Sequence, residues 1–122
     1  MNLEKLKESA RKYEQKSDWR RAIEVYQKAI TEFESGRDPN PDLSIYNRVG
    51  DLFIKANEAN AAVQAYERAV DLYSEQGFTN NAIALCGKIL RLNPGRISVY
   101  LKLAQLHARK NEIGRASCRE RV

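Results

Sequence analysis

Proline and cysteine are scarce in this chain, three and two among 122 residues, and glycine occurs only six times. Two cysteines with no C-x2-C spacing exclude a disulfide framework and a zinc motif. Alternating runs of β-branched residues are missing, so an all-helical chain is expected. The longest apolar run is a few residues, too short to span a membrane. Met1-Asn2-Leu3-Glu4-Lys5 has no apolar core, so no secretory signal is expected and a cytoplasmic setting is the default. Phosphate-loop, dinucleotide-fingerprint, zinc-protease and nucleophile-elbow strings are also missing. With a single histidine, His107, and no nucleophile patterned around it, no enzyme activity is expected, and no metal or cofactor.

What the chain has instead is apolar residues at helical spacing. Tyr46, Val49, Gly50 and Phe53 fall at i, i+3, i+4 and i+7, and Asn57-Glu58 then interrupts the pattern. A second stripe runs through Ala62, Tyr66, Ala69, Val70 and Tyr73. Gly50 and Ala62 put a small residue within each apolar face, which lets two antiparallel helices approach closely. Earlier in the chain, Leu3, Leu6, Ala10 and Tyr13 form one face, and Ala22, Ile23, Tyr26, Ala29, Ile30 and Phe33 another. Ser17 is the expected N-cap between them. Gly77 is the expected end of the fourth helix and Thr79 the start of a fifth carrying Ala82, Cys86 and Ile89. Asn93-Pro94-Gly95 closes it, and a sixth helix over about Arg96 to Lys110 carries Tyr100, Leu103, Ala104 and His107.

These stripes resemble the tetratricopeptide repeat, whose signature is W-x2-L-G-x2-Y, then A-x3-F, then P. The match is Tyr46-x2-Val49-Gly50-x2-Phe53 followed by Ala62-x3-Tyr66-x2-Ala69, with Tyr in place of Trp and no closing Pro. Leu6-x2-Ser9-Ala10-x2-Tyr13 with Ala22-x3-Tyr26 is an earlier copy. Tyr13 and Phe53, Ala22 and Ala62, and Tyr26 and Tyr66 all lie 40 positions apart. The six residues beyond the usual period fit in the Glu34–Pro41 loop. Ala82-x3-Cys86-x2-Ile89 with Pro94 reads as a second half whose first half is the helix of Tyr66, Ala69, Val70 and Tyr73. The fourth helix therefore serves two repeats.

The resemblance implies a right-handed α-solenoid of about six helices stacked in antiparallel pairs. It also implies a non-catalytic scaffold that binds a partner peptide or helix in a concave groove lined by first helices. Off the core stripe of those helices lie Lys7, Arg11 and Glu14, then Asn47, Arg48, Asp51 and Lys55, then Lys102, Gln105 and Arg109. One subfamily grips a C-terminal carboxylate with a Lys/Asn/Arg clamp. Lys7 and Asn47 resemble two of its parts, while Arg11 and Leu101 depart from it. A groove of mixed charge and basic bias favours an acidic or amphipathic partner segment. Self-assembly through the open terminal helix is the alternative function.

His107, Cys86 and Trp19 are expected to pack rather than to bind. The formal charge is +5 and the isoelectric point about 9.3. Yet Glu4, Glu8, Glu14 and Asp18 are threaded among Lys5, Lys7, Arg11, Lys12, Lys16, Arg20 and Arg21. No single-sign stripe of the kind phosphate binding uses results, so nucleic acid is a distant third. Residues 112–122, Glu-Ile-Gly-Arg-Ala-Ser-Cys-Arg-Glu-Arg-Val, break from the composition before them and resemble a translated sequencing adapter. The expected array is therefore 1–111, the N-terminal portion of a longer bacterial protein. The string holds three Arg and two Glu, so without it the charge is +4.

Overall fold

The computed structural model describes residues 3–36 and 42–120, with side chains as far as Asn111. Six helices lie in the described residues: α1 Leu3–Gln15, α2 Trp19–Glu34, α3 Ser44–Lys55, α4 Ala59–Glu75, α5 Thr79–Leu92 and α6 Ile97–Glu120. No strand occurs among them. The all-α expectation holds, as does the helix count. The last helix is longer than expected, running to Glu120 rather than ending near Lys110. No proline stands between Asn111 and Glu120 to stop it. The expected Glu34–Pro41 loop falls largely on residues 37–41, outside the described residues. Two compact units divide the chain within α4, Met1–Ala65 and Tyr66–Val122.

One turn recurs three times. Ser17, Asn57 and Gly77 have φ of 59°, 64° and 83°, each two residues past the end of a helix. Their N–H groups donate to Glu14, Ile54 and Ser74 carbonyls at 2.9, 3.0 and 3.1 Å. The next residues, Asp18, Glu58 and Phe78, donate to Tyr13, Phe53 and Tyr73 at 2.9, 2.8 and 2.8 Å. This crossed pair satisfies carbonyls that a helix end leaves open. At the third turn Phe78 packs edge-on against Tyr73, with ring centroids 6.1 Å apart. Ala22, Ala62 and Ala82 then donate to the carbonyls of Asp18, Glu58 and Phe78, starting the next helix. So α1, α3 and α4 end in the same way, and Gly36, two residues past α2, is left-handed as well, with its N–H donating to the Phe33 carbonyl at 3.2 Å.

The caps correct one expectation and bear out another. Asp18, not Ser17, caps α2, its carboxylate accepting from Arg21 N–H at 3.4 Å. Ser17 is instead the left-handed residue of the turn, and a residue with positive φ cannot hold the extended N-cap conformation. Thr79 is the first residue of α5, and Phe78 holds the cap position without a side-chain hydrogen bond.

In the first unit α1 packs on α2 and α2 on α3. Ala10, Ala22, Ala29 and Ala62 have no exposed surface, and Leu52 is as deeply enclosed. Alanine at these points removes side-chain bulk between axes, and Ile23, Tyr26, Phe33, Ile45 and Tyr46 fill the space alongside. In the second unit α5 packs on α6 around Ala82, Cys86, Ile89 and Val99. Burial pushes the Cys86 thiol above its ordinary value, with Asp71 and Glu67 adding to this and Lys102 opposing it. The expected stripe of α6 is corrected. Val99 and Leu106 face the core, while Ala104 and His107 are exposed and Tyr100 half-exposed. The enclosed side of α6 is the one turned to its neighbours, and the Tyr100–Ala104–His107 side is the more exposed one, with the Tyr100 hydroxyl donating to the Pro94 carbonyl at 3.0 Å.

The turns carry a measurable cost. Ser17→Gly removes the left-handed penalty of a side chain and is expected to raise stability by about 0.5–1 kcal/mol. Gly77→Ala is expected to lower it by roughly 1–2 kcal/mol from backbone strain alone, since nothing lies within 4 Å of an added Cβ. Urea unfolding followed by circular dichroism reads both.

Candidate functional site

The side chains singled out in the sequence are mostly held by neighbouring helices. Lys7 of α1 donates to Asp42 Oδ2 at 2.5 Å, across to the segment that opens α3. Asp42 also accepts from the Ser44 N–H at 3.1 Å and the Ser44 hydroxyl at 2.5 Å. Burial alone would raise the Asp42 carboxyl, but Lys7 and Ser44 outweigh it and hold the group below its ordinary 3.8. Arg48 donates to Glu14 Oε1, and the Tyr26 hydroxyl donates to Glu14 Oε2 at 3.2 Å. α1, α2 and α3 thus meet at one carboxylate. Burial and then the Glu14 charge push the Tyr26 phenol above 10, with Arg48 and Arg11 opposing. The Arg48 guanidinium is raised too: burial opposes this, and Glu14 decides it.

Lys55 sits 4.8 Å over the Trp19 ring, and Arg20 pairs with Glu58 at 3.1 Å. The turn after α1 is thereby tied to the turn after α3. Trp19 is half-buried, in keeping with the packing role expected of it. Arg11 is exposed, and Asn47 and Asp51 are half-buried on α3. Glu14, expected to face outward, has a side chain only 8% exposed. Its acceptor role was hidden because nothing local marks it; the partner, Arg48, lies 34 positions away.

In the second unit α6 lies along the last half of α4. Arg96 donates to Glu67, Lys102 pairs with Asp71 at 2.8 Å, and Arg109 donates to the Ser74 carbonyl and hydroxyl at 3.0 and 3.3 Å. A cleft of about 140 Å³ opens there. Val70 and Leu106 line it with apolar surface, and Asp71, Ser74, Lys102, Gln105 and Arg109 with polar groups. Two of the expected groove residues, Lys102 and Gln105, come together here. Asp71 and Ser74 were not singled out in the sequence, and only the α4–α6 pairing reveals them. Among the described residues no group of three or more His, Cys, Asp or Glu could hold a metal ion. No helix among them is long and apolar enough to cross a membrane.

The two units share one bond with its charge reversed. Lys7 and Glu67 each stand six residues before the tyrosine that ends the helix stripe, Tyr13 and Tyr73. Each pairs with the residue just before or at the opening of the helix two further on, Asp42 and Arg96.

Asp42 makes a pH prediction. A folded-state value below 3.8 means its contribution is complete above about pH 4 and lost as pH falls through the folded value. Lys7→Met removes the partner and is expected to cost about 1 kcal/mol at pH 6, both side chains being partly exposed. The gap between parent and variant in urea midpoint is expected to narrow by pH 3.

A model of the tetratricopeptide repeat matches residues 43–76. Those residues hold α3, the Ala56–Glu58 turn and α4. No curated protein matches the chain. The chain therefore carries a tetratricopeptide repeat at residues 43–76, and the turn within that repeat recurs after α1 and α4.

Proposed function

We propose that this protein is a non-catalytic scaffold whose first helices bind a peptide or amphipathic helix of a partner protein. Tetratricopeptide repeats serve generally as protein–protein interaction scaffolds. The observation that carries the finer reading is the α4–α6 cleft. An apolar floor of Val70 and Leu106, rimmed by Lys102, Gln105 and Arg109, suits a short segment with one apolar anchor and acidic flanks. The Lys102–Asp71 pair is 31% and 42% exposed, so it is well screened and exchanges readily for a carboxylate of a partner. Lys7 and Arg48 contribute less to recognition on this reading, because the carboxylates they hold, Asp42 and Glu14, are more enclosed than Asp71. The same commitments weigh against nucleic acid. The array is taken to occupy residues 1–111 of a cytoplasmic protein, with residues 112–122 outside it, on the composition break alone.

A second reading, docking through the terminal helix, has its own observation. Ile97, Tyr100 and Leu101 of α6 are 72%, 49% and 63% exposed.

The cleft reading is tested with a displayed library of acidic amphipathic 15-residue peptides selected on the full chain. Selected peptides are expected to shift the amide resonances of Lys102, Gln105 and Arg109. Lys102→Glu is expected to weaken them about tenfold or more with helicity unchanged. Binders indifferent to Lys102→Glu and Gln105→Glu would sink the reading.

A further inference from the structure

The two units carry one pattern with different residues at its polar points. At a separation of 60 positions Arg11, Tyr13 and Glu14 of α1 return as Asp71, Tyr73 and Ser74 of α4. At the same separation Ala22 and Tyr26 of α2 return as Ala82 and Cys86 of α5. At 54 positions Tyr46, Arg48 and Leu52 of α3 return as Tyr100, Lys102 and Leu106 of α6. Burial follows the correspondence, since Ala22 and Ala82 are both fully enclosed and Leu52 and Leu106 both buried. Charge follows it too. Beyond burial and Glu14, the Arg48 and Arg11 charges act on the Tyr26 phenol, and beyond burial their counterparts Lys102 and Asp71 act on the Cys86 thiol.

In the first unit the centre of this arrangement is filled from within. Glu14 has a side chain only 8% exposed, and it accepts from Arg48 and, at 3.2 Å, from the Tyr26 hydroxyl. In the second unit the glutamate is cut short to Ser74 and the tyrosine to Cys86, while the counterpart of Arg48 remains as Lys102. A cleft of about 140 Å³ opens there, with Ser74, Lys102 and Arg109 in its lining. Lys102 pairs with Asp71 at 2.8 Å, close to solvent, and Arg109 uses one nitrogen, Nη1, for both its bonds to Ser74.

We propose that this cleft takes the side-chain carboxylate of a glutamate on the partner segment, in the place that Glu14 fills in the first unit. This rests on the cleft reading and names the group recognised. Lys102 supplies the cation in the place of Arg48. The Ser74 hydroxyl accepts from Arg109 and has its own hydrogen to donate, as the Tyr26 hydroxyl donates to Glu14. Val70 and Leu106 give apolar surface to the methylene stem of the glutamate. Two cations, Lys102 and Arg109, face one anion, Asp71, in the lining. The remaining positive charge is balanced by a carboxylate and exceeded by a phosphate dianion. The clamp that Lys7 and Asn47 resemble is a different arrangement, both residues belonging to the first unit.

Supplying the carboxylate from within tests this. In the full chain Ser74→Glu puts a carboxylate at the position of Glu14, and Ser74→Gln puts the same shape there without charge. Ser74 lies in the last turn of α4, where an anion is otherwise disfavoured, so a gain marks the slot. Ser74→Glu is expected to melt about 3 °C or more above Ser74→Gln, and Lys102→Met in both backgrounds is expected to remove the difference. The binding probe is a peptide selected from the acidic 15-residue library and made with an amidated C-terminus. Replacing its glutamates one at a time by glutamine is expected to find one that costs about tenfold in affinity for the parent chain. Ser74→Glu is expected to bind the peptide about tenfold more weakly, and that glutamate is expected to cost nothing further there. Equal melting of Ser74→Glu and Ser74→Gln, or unchanged peptide binding to Ser74→Glu, overturns the proposal. If binding is still lost on Lys102→Glu, the cleft reading survives that outcome. A peptide that binds only with a free C-terminus keeps the cleft and replaces the proposed glutamate with a chain end. Selected peptides that ignore Lys102→Glu overturn both.

Discussion

Close approach of helices at alanine is the constraint on which the rest of this structure depends. Ala10, Ala22, Ala29, Ala62, Ala69 and Ala82 are all fully enclosed. A longer side chain at any of them would push two helices apart, and the rings of Tyr26, Tyr46 and Tyr66 would no longer span the gap. Separation of helices would also break the polar bonds between them. The Lys7–Asp42 and Arg48–Glu14 pairs join α1 to α3 and to the segment that leads into it. The apolar and ionic parts of the design are therefore one constraint expressed twice.

That constraint is why so much of the fold was legible in the sequence. Small residues and aromatics at helical spacing mark the faces directly, and the first five helices lie where the stripes put them. The Ala62-x3-Tyr66 and Ala82-x3-Cys86 pairs also underlie the expectation that α4 serves two repeats. α4 ends at Gly77 with the same crossed hydrogen bonds as the endings after α1 and α3. Where sequence reasoning failed, the cause was local chemistry with two equivalent solutions. Ser17 and Asp18 are both good capping residues, and only the left-handed φ of Ser17 assigns the cap to Asp18. Tyr100 and Val99 are both apolar, and only the neighbours of α6 decide which of them turns inward.

The candidate site was less legible, because polar residues on a first helix have two employers. A lysine off the core stripe can face a partner or tie its helix to the next first helix, and the stripe does not distinguish these. Lys7 and Arg48 took the second course, each meeting a carboxylate more than 30 positions away. Their partners Asp42 and Glu14 have no local signature, so no window of sequence displays the bond. Lys102 is tied as well, to Asp71 of α4, but Asp71 is more open than Asp42 or Glu14 and Gln105 lies exposed beside the pair at the rim of a cleft, which is why the functional reading moves to α6.

Reversal of the shared bond gives those ties a further meaning. Lys7–Asp42 and Glu67–Arg96 occupy corresponding places, one with its cation on the first helix and the other with its anion. Helices whose apolar stripes are nearly interchangeable could pair in the wrong register, since Tyr46, Val49 and Gly50 resemble Tyr100, Leu103 and Ala104. Exchanging α3 for α6 beside α1 would bring Arg96 to Lys7, and beside α4 would bring Asp42 to Glu67. Both exchanges set like charges together at partly buried positions, where repulsion is screened less than at the surface. The stripes make helix pairing strong, and the alternating sign of one ion pair makes it selective.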